Sequence, residues 1–176
     1  EELISQRAIT NTYRYLTAEN DTTLTPLDIF HIAKAKTPGD KNAALKSFAQ
    51  FGQALGDAIA NLITLFDGIV VIGGGISAAR ELYMPALLNE LNTPFKKTDI
   101  RLVHKVYDFD NKNDKKVFLS SPIKSIKIPE SDKFINYSPE VKTAIIHSKL
   151  GANRAIQLGA YLFALNKLEN LKGHPK

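Results

Sequence analysis

Apolar residues recur at helical spacing at the start of the chain, where Leu3, Ala8 with Ile9, and Tyr13 with Leu16 predict a helix over Glu2 to Leu16. The polar stretch Thr17 to Thr23 ends it. Thr25-Pro26-Leu27-Asp28 then combines a capping threonine, a proline at the first helical position and a carboxylate at N3. A short helix follows through Ile29, Phe30, Ile32 and Ala33 to the break at Thr37-Pro38-Gly39, after which Asp40 is placed to cap the next element. From Lys41 to Phe66 the positions Leu45, Phe48, Gly52, Leu55, Ile59, Leu62 and Phe66 step by three and four, the stripe of a long amphipathic helix. Gly52 and Gly56 sit one turn apart on it. Glycine costs about 1 kcal/mol relative to alanine in a helix interior, and the expected compensation is another helix crossing closely at that point.

After Asp67-Gly68 the run Ile69-Val70-Val71-Ile72 lacks polar alternation, which predicts a strand buried on both faces of a parallel or mixed sheet. It ends in Gly73-Gly74-Gly75. Ser77 is then expected to cap a helix through Ala78, Leu82, Met84, Leu87, Leu88 and Leu91, ending near Asn92-Thr93-Pro94. Ile100 to Tyr107 reads as a strand, Asp108 to Lys116 as a polar turn, and Val117 to Leu119 as a segment pairing back. Ser120 to Pro139 reads as loop with short strands, because Pro122, Pro129 and Pro139 interrupt regular pairing. Val141 to His147 is expected to form a buried strand, and a last helix starts near Ala152 with Gly151, Ala155 and Gly159 four residues apart.

The 176 residues are 44% hydrophobic and 23% charged, an ordinary globular mixture. They are read as a single α/β domain over 1–176, with the Lys41 to Phe66 helix packed on a central sheet and the final helix beside it. The absence of cysteine removes disulfides, thiolate zinc sites and a cysteine nucleophile together, and points to a reducing cytoplasm. No apolar run is long enough to span a membrane. The net charge is +5, but only Lys112 to Lys116 and the Lys172 to Lys176 tail approach a basic cluster, so nucleic-acid binding is not expected. The opening residues lack both a starting methionine and a signal-like pattern, which reads as an internal fragment. His31, His104, His147 and His174 are dispersed, and packing or surface roles are expected for them.

The candidate chemistry lies in the triple glycine between strand and helix, where a backbone free of side chains lets N–H groups approach a phosphate or a flat ligand. A P-loop would need Gly-Lys-Ser/Thr after the glycines, and Ile76-Ser77-Ala78 stands there instead. Gly73-x-Gly75-x-x-Ala78 formally fits a dinucleotide fingerprint. The ribose-binding acid expected about 20 residues on has no good counterpart, since Glu90 is helical and Asp108 lies too far along.

A third context covers almost the whole chain. Leu24-Thr25-Pro26-Leu27-Asp28-Ile29-Phe30, Gly39-Asp40 with Ala43-Ala44, Leu55-Gly56 with Ala60-Asn61-Leu62, Ile69 to Ser77, and Ser148-Lys149-Leu150-Gly151-Ala152 with Gly159-Ala160 resemble, in order and spacing, the carboxy-terminal domain of the ROK family (repressors, open reading frames, kinases). The resemblance is weakest over Thr93 to Pro139. It implies an α/β carboxy-terminal lobe of an actin-like ATPase (ribonuclease H-like) fold, with a mixed sheet and packed helices.

It also implies transfer of the ATP γ-phosphoryl to a hexose hydroxyl, with ATP and magnesium as cofactors and an assembly of two or more copies. Gly73, Gly74, Gly75, Ile76 and Ser77 would line the adenosine side of the cleft. The family's catalytic aspartate, first phosphate loop and cysteine-rich zinc motif lie upstream of Glu1, so no catalytic residue is expected here and this chain alone is expected to be inactive. The zinc motif ends in a sugar-binding glutamate followed four residues later by serine. Glu1 with Ser5 fits that spacing, which makes Glu1 the candidate sugar ligand, although Gln6 replaces a glycine common in the family. The same family includes sugar-responsive transcription repressors with an added DNA-binding module, an alternative this stretch does not separate.

Overall fold

Three helices open the chain, α1 (Gln6–Thr17), α2 (Pro26–Ala33) and α3 (Lys41–Phe66), in a computed structural model that describes residues 2–18, 21–94, 101–120 and 122–172. α2 begins with the expected capping box: the Thr25 hydroxyl accepts from the Asp28 N–H, and Asp28 accepts from the Thr25 N–H at 2.8 Å. Those Thr25 donors hold the Asp28 carboxyl below its usual range. Asp40 caps α3 by accepting from the Ala43 N–H at 2.9 Å, while its own N–H donates to the Tyr13 hydroxyl of α1. α1 starts later than its apolar pattern predicts: Leu3 lies outside the helix and exposed, and Ala8, Ile9 and Tyr13 form the buried face.

The buried face of α3 is rotated from the expected stripe. Ala44, Phe48, Gly52, Gly56, Ile59, Ala60 and Ile63 are inside, whereas Leu45, Leu62 and Phe66 are exposed. The small residues decide this, because α4 (Arg80–Asn92) crosses where they leave room. A Cβ built on Gly52 would collide with the Tyr83 carbonyl oxygen. One on Gly56 would lie 2.9 Å from Glu90 Cβ and 3.0 Å from the Leu87 oxygen. Arg101 pairs with both Asp57 of α3 and Glu90 of α4, bridging the two helices. α3 therefore packs chiefly on α4, α1 and α2, with α4 between it and the sheet.

The strands are β1 (Val70–Ile72), β2 (Lys105–Asp108), β3 (Lys124–Lys127), β4 (Phe134–Tyr137) and β5 (Lys142–His147). β5 is central, with β1 and β2 parallel on either side, registered Val70 to Ile145 and Val106 to Thr143. β1 is thus an edge strand, and Val71, expected to be buried, is 63% exposed. The Asn92 side chain pairs with both the N–H and the carbonyl of Val106, fastening the end of α4 to the opposite edge. β3 and β4 form a separate antiparallel pair.

Two expectations change beyond β2. Asp108 to Leu119 is not a polar turn with a returning strand: Lys112–Leu119 is a helix, α5. Asn111 caps it by accepting from the N–H groups of Asn113 and Asp114, and Phe118 packs edge-on against Tyr107 and Phe109. The final helix, α6 (Ala152–Lys172), does not lie buried beside the sheet, since residues 154–169 are all exposed. Ile156, Leu162, Phe163 and Leu168 are among the apolar side chains it presents. Among the described residues no helix is long and apolar enough to cross a membrane.

Gly52→Ala is expected to lower stability by about 3 kcal/mol in denaturant unfolding, because its new Cβ meets backbone that cannot rotate away. Gly68→Ala, whose Cβ would find its nearest neighbour at 3.8 Å, should be near neutral.

Candidate functional site

β1 delivers the chain to the glycine turn, and a 3-10 segment (Gly75–Ala79) carries it into α4. Gly74 adopts φ 96° and ψ −178°, a conformation that side chains disfavour even though a Cβ there would meet nothing within 4 Å. Gly73 needs no such freedom. Ser77 was expected to cap α4, but it closes on its own turn: its hydroxyl donates to the Gly74 carbonyl at 2.6 Å and its N–H to the same oxygen at 3.2 Å. The helix begins three residues later because the segment first winds more tightly.

Two clefts flank this turn. One, of about 460 Å³, has apolar walls from Pro26, Leu27, Phe30, Phe48 and Ile76, with Gln6 at its border. The other, of about 590 Å³, lies between Gly74, Ser77 and the β5 to α6 connection, where Ser148, Lys149 and Arg154 supply polar and cationic groups. Gly75 and Ala78 line both. The arrangement offers an apolar slot on one side of a side-chain-free backbone and a positive groove on the other.

Behind the turn the carboxyl ends of β2 and β5 converge, as parallel topology requires. There Asp108 and His147 are each 7% exposed. The Arg80 guanidinium pairs with Asp108 and places Nε 3.3 Å from His147 Nδ1. Asp110 accepts from the His147 N–H at 2.8 Å and lies 3.0 Å from Nδ1, while the Tyr83 hydroxyl lies 2.8 Å from Nε2. A carboxylate only accepts, so the shorter Nδ1 contact places the proton on Nδ1 toward Asp110 and Nε2 accepts from Tyr83; Nδ1 then has no lone pair for the Arg80 Nε–H, and Arg80 is held by Asp108 instead. Burial pushes the Tyr83 hydroxyl up to about 12, which keeps it a donor. Burial works to raise the Asp110 carboxyl, but the two His147 donors and the nearby Arg80 charge together hold it below its ordinary value.

The family model described as ROK family matches residues 1–112, well over half of the chain. The chain belongs to the ROK family. A solved structure of a glucokinase from Parabacteroides distasonis ATCC 8503 is similar to it with a TM-score of 0.80 and 37% identity, over 94% of this chain and 45% of that one. This ROK chain thus spans less than half the length of that glucokinase, and its fold is an α/β lobe of the actin-like ATPase type. A comparison with curated proteins gives no match.

Of the ROK residues expected at the site, Gly74, Gly75, Ile76 and Ser77 border one cleft or the other, and Gly73 precedes them at the end of β1. Glu1 lies outside the described residues. Ser5, its partner in spacing, stands just before α1, where its hydroxyl oxygen is buried with no hydrogen-bond partner among the described residues. Among the described residues no group of three His, Asp or Glu side chains is placed to hold a metal ion.

Two histidines read as dispersed prove to be paired. His104 Nε2 is 2.7 Å from Asp67, and His147 is the centre of the buried cluster. Sequence alone hid the cluster because Arg80, Tyr83, Asp108, Asp110 and His147 come from three separated segments. The available signal was polar residues at the ends of two predicted strands.

A carboxylate held below its unfolded value of 3.8 contributes stability above that pH and loses it as pH falls through the lower folded value. Asp110→Asn should therefore lower the denaturant midpoint at pH 7, and the gap to the parent should close as the pH drops below 3.8. A gap independent of pH would contradict this.

Proposed function

We propose that this chain is the nucleotide-binding lobe of an ATP-dependent hexose kinase. The observation that carries the reading is Gly74, held at a positive φ between an apolar slot and a cationic groove, in a chain 37% identical to a glucokinase over most of its length. The adenine ring suits the slot beside Phe30, Phe48 and Ile76. The ribose and phosphates would then pass the backbone of Gly74 and Gly75 toward Lys149 and Arg154, whose charge favours an anionic ligand. Bare backbone permits this approach, and the glycines take no part in bond making.

In the reaction a hexose hydroxyl attacks the γ-phosphorus, the bond to the β,γ-bridging oxygen breaks and ADP leaves, while the hydroxyl proton passes to an aspartate base. That base, and the sugar ligands other than Glu1, would come from a second lobe of the intact protein. The exposed apolar side chains of α6, among them Ile156, Leu162, Phe163 and Leu168, support such a lobe, since exposed apolar surface of this kind marks a site of interaction. Magnesium bound with the nucleotide would neutralise phosphate charge. Glu1 remains the proposed sugar ligand, in the cytoplasmic enzyme formed with further copies.

Gly74→Val in the full-length protein should raise KM for ATP by about tenfold or more, because a β-branched residue resists this φ and its side chain fills the approach, while KM for hexose stays within about twofold. Equal loss of both would remove the nucleotide assignment. The 176-residue chain alone should show no hexose phosphorylation, since catalysis here rests on positioning across both lobes. Stabilisation of the full-length protein by NAD in a thermal melt, with none by ATP and magnesium, would favour a dinucleotide fold function instead.

A further inference from the structure

The glycine turn has no side chains at Gly73, Gly74 and Gly75 with which to hold its own shape. Its entry and exit are both tied to one dipeptide at the end of the central strand. The Ser148 N–H donates to the carbonyl of Ile72, the last residue before the glycines, at 2.8 Å. The His147 imidazole contacts Arg80 and Tyr83 in the first turn of α4, the element the turn feeds. The Arg80 N–H in turn donates to the Ser77 carbonyl, and Ser77 closes on Gly74. A continuous hydrogen-bonded path therefore runs from His147 through Asp110, Asp108, Arg80 and Ser77 to Gly74.

Both imidazole nitrogens are occupied, Nδ1 by Asp110 and Nε2 by Tyr83. His147 has no nitrogen left for a ligand, although its residue borders the cationic groove. It is also poorly suited to filling space alone. A cluster of one guanidinium, two carboxylates and an imidazole incurs a desolvation penalty that apolar side chains of similar volume would avoid. What such a cluster supplies is direction: each group accepts only certain partners at certain angles, so α4 can start in only one orientation.

We infer that His147 is a positioning residue for nucleotide binding, which by joining Tyr83 to Asp110, and through Asp110 to the Asp108–Arg80 pair, sets the first turn of α4 and through it the backbone of Gly74 to Ser77. This rests on the reading of the turn as an ATP site. The predicted consequence is a loss in nucleotide affinity without loss of chemistry, since both imidazole nitrogens are taken up within the cluster.

The test uses the full-length protein with three substitutions. His147→Phe keeps ring volume and removes both polar contacts, His147→Asn retains a donor toward Asp110, and Tyr83→Phe removes one hydroxyl only. His147→Phe should raise KM for ATP about tenfold with kcat and KM for hexose within about twofold, and His147→Asn should restore part of the loss. Amide hydrogen exchange of residues 75–80 should quicken about tenfold in His147→Phe while α3 amides keep their protection. If that variant does not fold, Tyr83→Phe carries the test, with a rise of about threefold in KM for ATP expected.

A parent that binds ATP and variants that match it in KM and exchange would overturn the inference while leaving the kinase reading intact. Faster exchange spread evenly over the whole domain would also overturn it, by showing a merely structural role. A parent that binds no ATP would remove the kinase reading, and this inference with it.

Discussion

The crossing of α3 and α4 is the constraint from which the rest of the site follows. At Gly52 the two helices meet backbone to side-chain-free backbone, with the Tyr83 carbonyl lying where a Cβ would stand, and Gly56 repeats the closeness one turn on. Apolar content alone would not select this face, since Leu45, Leu62 and Phe66 are also apolar and were left in solvent while Phe48, Ile59 and Ile63 were buried. Two glycines in a helix interior cost about 1 kcal/mol each. The close approach offsets this through the contacts it permits, among them Phe51 edge-on against Tyr83 and the full burial of Tyr83, Leu87 and Leu91.

Placing α4 places its first turn. Tyr83 touches Gly52 with its backbone and His147 with its hydroxyl, so the same residue joins the helix crossing to the charged cluster. Arg80, three residues earlier, reaches Asp108 from the end of β2, and Asp110 just beyond it accepts from His147 at the end of β5. At its other end α4 is fastened to Val106 through Asn92. The glycine turn is therefore suspended between a strand edge and a helix whose orientation is fixed at both ends. That lets a loop without side chains keep one shape, which a binding surface made of backbone requires.

Much of the local structure was legible from residue order, and for local reasons. Thr25-Pro26-x-Asp28 caps α2 with groups three residues apart and Asp40 caps α3 the same way; each interaction is complete within one turn of chain. The helix α5 was missed because its signal, Asn111 with Asp114, is equally a turn signal, and what favours helix is Phe118 meeting Tyr107 and Phe109 from β2. Ser77 looked like a helix cap for similar reasons, but its hydroxyl found the Gly74 carbonyl first.

By itself, then, the sequence determined α2 and α3 with their caps, the strand, glycine and helix unit, and the family pattern that spans them, because these depend on neighbours in the chain and on repeated spacing. Only the tertiary structure decided which face of α3 is buried, that β1 is an edge while β5 is central, and that His147 stands among Asp110, Tyr83 and Arg80. Those outcomes depend on which distant segments share a volume. Small residues leave room that only a partner helix can fill, and a buried charge takes whichever opposite charge the topology brings within reach.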